Sequence, residues 1–198
     1  MQVSMKRVAS LPLRLRVAWA ASIVERVLQL YSKYFREKYH QDEALSLAWS
    51  FVGGNPVSVI QKSPISQQVT ALVREADEEG YSVQQIGMAT ELLDEILHHD
   101  GKCAFVAVEN AAVSFAFHRL YKVGLAPDDP RLSVKFIDTL QGPVWELAKE
   151  TLEFAKALKN RPIGRDIFAQ FSLGVQPADT SKLQKPRGSI PRPPVHEV

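Results

Sequence analysis

Cysteine is almost missing from this 198-residue chain: Cys103 stands alone. A single thiol closes no disulfide within the chain and builds no cysteine-based zinc site. Such sparing use fits a reducing compartment, and a cytoplasmic protein is expected. Long apolar runs are lacking as well, and the longest fall far short of the ~20 residues that a membrane-spanning helix needs. The first residues, MQVSMKRVASLPLRLRVAWAA, do not read as a secretory signal, because Arg14 and Arg16 interrupt the region where an apolar run belongs. Gly-x-Gly-x-x-Gly, the Walker loop, Gly-x-Ser-x-Gly and His-Glu-x-x-His are also absent, so the commonest nucleotide, acyl-transfer and zinc-hydrolase sites have no signature here. Gly53-Gly54-Asn55-Pro56 reads as a turn at a helix end, and no repeat of fixed period is visible.

What the chain does contain is helical spacing. A hydrophobic fraction of 45% and a charged fraction of 23% are those of a soluble globular protein, and the length suits one domain better than two. The first predicted helix runs from about Pro12 to Tyr39, with Ser10 as its cap. Val17, Ala20, Ala21, Val24, Leu28, Tyr31 and Phe35 make its apolar stripe; Ser22, Glu25, Arg26, Gln29, Lys33 and Arg36 make the opposite face. Asp42 caps a second helix that turns Leu45, Ala48, Trp49 and Val52 inward and stops at Gly53-Gly54. A third helix starts at Ser63-Pro64 and a fourth at Ser82, where Gln85 completes a capping box. The stretch Lys102 to Val123 is the most apolar helix. Asp129-Pro130 opens a short helix to about Leu140, Gly142-Pro143 opens another, and a last one covers Arg165 to Phe171. The expectation is an all-α, single-domain bundle of seven or eight helices over residues 10–172. From 173 to 198 the chain becomes proline-rich and basic with few large apolar residues, and a disordered or surface-draped tail is expected.

The net charge of +2 hides an uneven distribution. Residues 1–38 carry eight Lys/Arg against two Asp/Glu, while residues 74–100 carry eight Asp/Glu against Arg74 alone. Both helices of that acidic block turn apolar stripes inward, so their carboxylates share an outer surface. Such a surface attracts a cationic partner and speeds encounter. The plainer reading, a solvated helix face, is the commoner one in general. The nearly neutral total argues against a dedicated nucleic-acid binder.

The apolar stretch KCAFVAVENAAVSFAFHRLYKV nevertheless carries Glu109, Asn110 and His118. Polar groups in such a helix need hydrogen bonds or charge partners, and Arg26 or Arg119 would serve Glu109. Glu109 and His118 are nine residues apart and are read as facing roughly one side of the helix, but about 13 Å apart along its axis, too far for direct acid–base cooperation. They are read as internal struts. Glu95-x-x-His98 has the spacing of helical carboxylate metal sites, but no second such pair exists to complete one, and His98 and His99 suit the last turn of a helix. Cys103 reads as inert filling. No cofactor or metal is expected.

Three segments together carry a resemblance. RVAWAASIVERVLQLYSKYF, DEALSLAWSFVGGN and CAFVAVENAAVSFAFHRLY are similar to the all-helical immunity proteins of bacterial polymorphic toxin systems, the fifth numbered immunity family above all. That family has an Ala-x-x-x-Glu-Arg-Val-Leu first helix, matched by Ala21 to Leu28. An Ala/Trp helix follows, matched by Ala44 to Trp49. A later Ala-rich helix with interspersed aromatics or His is matched by Ala104 to Tyr121. The resemblance covers about Arg14 to Tyr121. It implies a non-enzymatic inhibitor that binds a cognate protein toxin, with a basic-surfaced nuclease as the kind of toxin an acidic face fits. From charge placement, the expected contacts are Glu75, Asp77, Glu78, Glu79, Glu91, Asp94 and Glu95, with Asp128 and Asp129 as a second patch. No membrane and no nucleic acid are expected as partners, and aromatics at Tyr31, Tyr34, Phe35 or Trp145 suit either a homodimer or a core. Two alternatives stand beside this reading. One is a helical metal-dependent enzyme using Glu95, His98, Glu109 and His118. The other is a helical regulator or scaffold that sets its basic first helix and tail on nucleic acid or an acidic partner.

Overall fold

The structure is a computed structural model and describes residues 3–38, 41–55, 102–126, 128–158 and 161–174. Its elements are α1 (Met5–Ala9), α2 (Leu13–Leu28), α3 (Lys33–Lys38), α4 (Gln41–Val52), α5 (Lys102–Lys122), α6 (Val134–Ala157) and α7 (Arg165–Phe168). No strand occurs among the described residues, and the all-α expectation holds for them. The expected total of seven or eight helices includes those placed between Ser63 and Leu97. These lie outside the described residues, as does the tail from 175.

α2 is the hub. It packs against α4, α5 and α6, and α7 leans on it as well. Leu15, Val17 to Glu25, Val27 and Leu28 are all buried, so the helix has almost no wet side. Its neighbour α5 meets it with small residues: Ala104, Ala107, Ala111 and Ala112 are completely buried. Small side chains at helical spacing let two axes come close, and the larger Val108 and Phe115 fill the space at either side. A smaller cluster, Phe117, Leu120, Leu125, Phe136 and Leu140, joins the far end of α5 to the start of α6.

Two described helices, α4 and α5, end on a glycine with one shared geometry. At the end of α4, Gly54 adopts φ +103, its N–H bonds to the Phe51 carbonyl, and the Asn55 N–H reaches back to Ser50. At the end of α5, Gly124 adopts φ +70, with Gly124 N–H on Tyr121 and Leu125 N–H on Leu120. These are Schellman closures, in which a left-handed residue satisfies carbonyls that the helix leaves open.

Four local expectations are corrected. Ser10 does not cap α2; it ends α1, where its hydroxyl donates to the Arg7 carbonyl, and Pro12 occupies the N-cap of α2 with no side-chain bond. The long first helix breaks at Gln29 to Ser32. There Leu30 and Tyr31 donate to Val27 and Leu28 in the tighter three-residue pattern, and Tyr31 turns so that its hydroxyl meets the Ser114 hydroxyl at 2.5 Å. Asp42 is no cap, because α4 already includes Gln41.

The largest correction is at Gly142-Pro143, which interrupts nothing: α6 runs through it for 24 residues. Proline in a helix interior costs about 3 kcal/mol. Phe136, Leu140, Val144, Leu147, Ala148, Leu152 and Ala155 hold one buried stripe in unbroken phase across the proline. Breaking the helix there would expose one half of that stripe, a larger loss than the missing bond. The start of α6 is also fixed: the Ser133 hydroxyl accepts the Phe136 N–H at 3.2 Å.

If tertiary packing overrides the proline, Pro143→Ala will keep the helical content and raise unfolding stability by about 1 kcal/mol. Circular dichroism and urea titration check this, and a loss of helix in the variant would contradict it.

Candidate functional site

The one buried carboxylate among the described core residues is Glu25, in the middle of α2 and 6% exposed. Trp49 on α4 donates its indole N–H to one oxygen at 3.0 Å. Arg165 on α7 donates Nε–H to the other oxygen at 2.9 Å, and its Nη2 also reaches that oxygen. Three helices therefore converge on one anion. Phe168 explains why Arg165 arrives there: three residues further along α7, it is 1% exposed and inserts beside Trp49 and Phe154, with ring centroids 6.0 and 5.5 Å away. Arg26, next to Glu25, holds the other end of α7 by donating to the carbonyls of Phe171 at 2.8 Å and Phe168 at 3.3 Å. Adjacent opposite charges on α2 thus clamp a four-residue helix from both ends.

Glu25 also forms the inner wall of a cleft of about 340 Å³ between α2, α3, α4 and α7. Gln29, Arg36, Asp42, Ser46 and Arg165 also line it, together with the almost wholly buried Leu28 and Leu45. The buried Nε of Arg36 pairs with the Asp42 carboxylate at 3.4 Å, an ion-pair contact without hydrogen-bond geometry.

A second polar group lies along α5. Asn110, Ser114 and His118 recur at four-residue spacing and therefore share one face. His118 lies against the Tyr31 ring, centroids 5.3 Å apart, and Tyr31 is tied to Ser114. Burial, helped by the Lys122 charge, lowers the His118 pKa below its ordinary value and favours the neutral ring. The Asn110 Nδ2 and His118 Nε2 are buried with no hydrogen-bond partner.

The acidic residues expected to make a contact surface fall into two groups. Glu75, Asp77, Glu78, Glu79, Glu91, Asp94 and Glu95 lie outside the described residues, and so do His98 and His99. In the loop between α5 and α6, Asp128 is exposed. Asp129 is held by Arg131 through the backbone N–H at 2.9 Å, Nε at 2.9 Å and Nη2 at 2.6 Å. Those bonds pull the Asp129 pKa down to about 2. The pair is self-neutralised, so the outward negative charge of this loop is that of Asp128.

The strut reading of Glu109 is corrected: its side chain is exposed, not buried. Nine residues are two and a half turns, so Glu109 and His118 occupy opposite faces of α5. Neither arginine expected to serve Glu109 is engaged there in the described contacts. Arg26 clamps α7, and Arg119 lies over the Phe115 ring at 5.5 Å and donates to the Leu140 carbonyl at 3.4 Å. The buried strut is Glu25, which sequence spacing had placed on the wet face. Its neighbours Ser22, Arg26 and Gln29 are polar at the same spacing, and Arg165 is 140 positions away. No local pattern signals that pairing. Cys103 is half-buried. Among the described residues, no group of three or more His, Cys, Asp or Glu side chains is placed to hold a metal ion. No helix among them is long and apolar enough to cross a membrane.

Comparison with family models, with curated proteins and with solved structures returns no match.

Glu25→Ala is expected to lower unfolding stability by about 2 kcal/mol, because the Trp49 N–H loses a charged acceptor and Arg165 loses its anchor. Trp49→Phe, which keeps the ring and removes the donor, is expected to cost about 1 kcal/mol. Urea titration of both variants checks the joint, and wild-type stability in Glu25→Ala would refute it. A pH effect follows from His118. Its folded pKa is depressed, so its contribution is whole above the unfolded value of about 6.5 and is lost as pH falls toward the folded value. Melting temperature should drop from about pH 7 to about pH 5, and His118→Phe, which keeps the ring against Tyr31, should flatten that slope. An unchanged slope would assign the pH response to other groups.

Proposed function

We propose that this protein is an immunity-type inhibitor, an all-helical protein that binds a cognate bacterial toxin with its surface and carries out no reaction of its own. The observation that supports it most is the state of the interior carboxylate. Both oxygens of Glu25 are occupied by donors from α4 and α7, so that charge fastens helices and is not held ready for a substrate. His118 is kept near neutrality by burial and lies against Tyr31, on the face of α5 opposite Glu109. Polar groups used in this way leave the exterior as the working part of the molecule.

The exterior has charge to offer. Residues 74–100 carry eight Asp/Glu against one Arg, and the proposed contact set is Glu75, Asp77, Glu78, Glu79, Glu91, Asp94 and Glu95, joined by Asp128. Against a basic toxin surface, such as the substrate face of a nuclease, these carboxylates would stand where phosphates stand in the substrate. The proposed setting is the cytoplasm of the toxin-producing cell or its sisters.

Two measurements test this. A toxin-domain gene beside this reading frame, whose growth arrest is relieved by co-expression, is the expected genetic result; an arrest that persists with folded protein present would contradict the class. With the toxin in hand, reversing Glu78, Glu79 and Asp94 together should slow association about tenfold or more at low salt, with a smaller difference at high salt. An unchanged association rate and salt dependence would remove the acidic face from the mechanism.

A further inference from the structure

Gln41, in the first turn of α4, is 1% exposed, and neither its Nε2 nor its Oε1 has a hydrogen-bond partner. A primary amide offers two donors and an acceptor, and burying it unbonded loses the hydration of both ends. Its place is set by the stripe it belongs to. Gln41, Ala44, Leu45, Ala48, Trp49 and Val52 are the buried residues of α4, which packs against α2. An apolar side chain of the same size would fill the position without that loss, so the amide leaves this end of α4 less stable than its stripe allows.

The element beside it is held lightly. α3 is six residues long, too short to keep helical shape by its own hydrogen bonds. It follows the break at Gln29 to Ser32 and packs against α4. Arg36 ties the two helices by its ion pair with Asp42 at 3.4 Å, a contact without hydrogen-bond geometry whose Asp42 side chain is 51% exposed. A pair of this kind adds little. Arg36 also lines the cleft of about 340 Å³, so this side of α3 borders open space. A lightly held helix next to an unmet buried amide is a place where a fold opens first.

We propose that α3 and the first turn of α4 form a strap that opens as one unit while α2 stays folded. Opening lets water bond both ends of the Gln41 amide, which offsets part of the lost packing. Leu45 lies one turn on from Gln41 along the same stripe, and with Leu28 it lines the cleft, so the open form uncovers an apolar strip that the closed form hides. Trp49, one turn further, stays bonded to Glu25 and sets the limit of the unit. The proposal does not depend on the immunity reading.

Native-state hydrogen exchange on the full chain tests it, in the wild type and in Gln41→Leu. In the wild type the amides of Arg36, Glu37 and Leu45 should exchange as a group, about a hundredfold or more faster than the interior amides of α2, and with little response to low urea. The Trp49 indole N–H should keep the protection of α2; its exchange along with the α3 group would contradict a strap that ends before it. Gln41→Leu should slow the whole group about tenfold, the scale of one unpaired buried group relieved. Gln41→Met, which keeps an unbranched stem, should act in the same direction and so separates the lost amide from a change of shape. A helix end that merely frays would leave Gln41 buried. In that case both variants would slow the α2 amides through global stability and leave the α3 group unchanged, and the proposal would be overturned. Faster exchange of the group in both variants would overturn it as well, because the amide would then be a bonded part of the closed form.

Discussion

A carboxylate on the most buried helix has to be satisfied from outside that helix, and this requirement organises the described part of the molecule. Water does not reach Glu25 freely, and an unpaired charge at 6% exposure would be costly. α4 supplies Trp49 and α7 supplies Arg165, so two elements far apart in sequence are tied to α2 through two oxygens of one residue. A buried charge fixed by specific donors adds little net stability compared with a well-packed apolar residue, but its donors fit in one arrangement. The rest of the core is alanine, branched aliphatic and aromatic side chains, among which Trp19 donates its indole N–H to the Ala148 carbonyl at 2.9 Å and so ties α2 to α6. The Glu25 joint sets the register of α4 and α7 against α2.

The short helix α7 shows how strongly that constraint acts. Four residues cannot hold helical shape by hydrogen bonding alone. Phe168 anchors this turn among Trp49, Phe154 and Phe171, and Arg26 occupies carbonyls at its far end. With the helix so held, Arg165 lies over Glu25 and closes one wall of the cleft. Fastening and cleft are therefore two consequences of one arrangement.

Much of the helical architecture was legible in the sequence because it is local. The 3.6-residue spacing marks α2, α4, α5 and α6, and Gly54 and Gly124 stop helices where left-handed backbone is needed. What failed was long-range in origin. Gly142-Pro143 reads as a break because propensity is local, while the stripe from Phe136 to Ala155 that overrides it depends on what lies opposite. Glu25 reads as solvated because its face of α2 is polar, whereas its burial depends on Trp49 and on Arg165, 140 residues distant. Glu109 failed in the opposite direction: nearly all its neighbours are apolar, yet its own direction from α5 leads to solvent. His118 was recognisable as an internal group, but its contact with Tyr31 follows from the turn at Gln29 to Ser32, which no motif announces.

The indole N–H of Trp49 reports on this joint directly, since its acceptor is the Glu25 carboxylate. Native-state hydrogen exchange should find it as protected as the interior amides of α2, exchanging only when the whole fold opens. Exchange orders of magnitude faster than those amides would mean that α4 and α7 leave α2 while it remains folded. Glu25 would then not be the residue on which the arrangement depends.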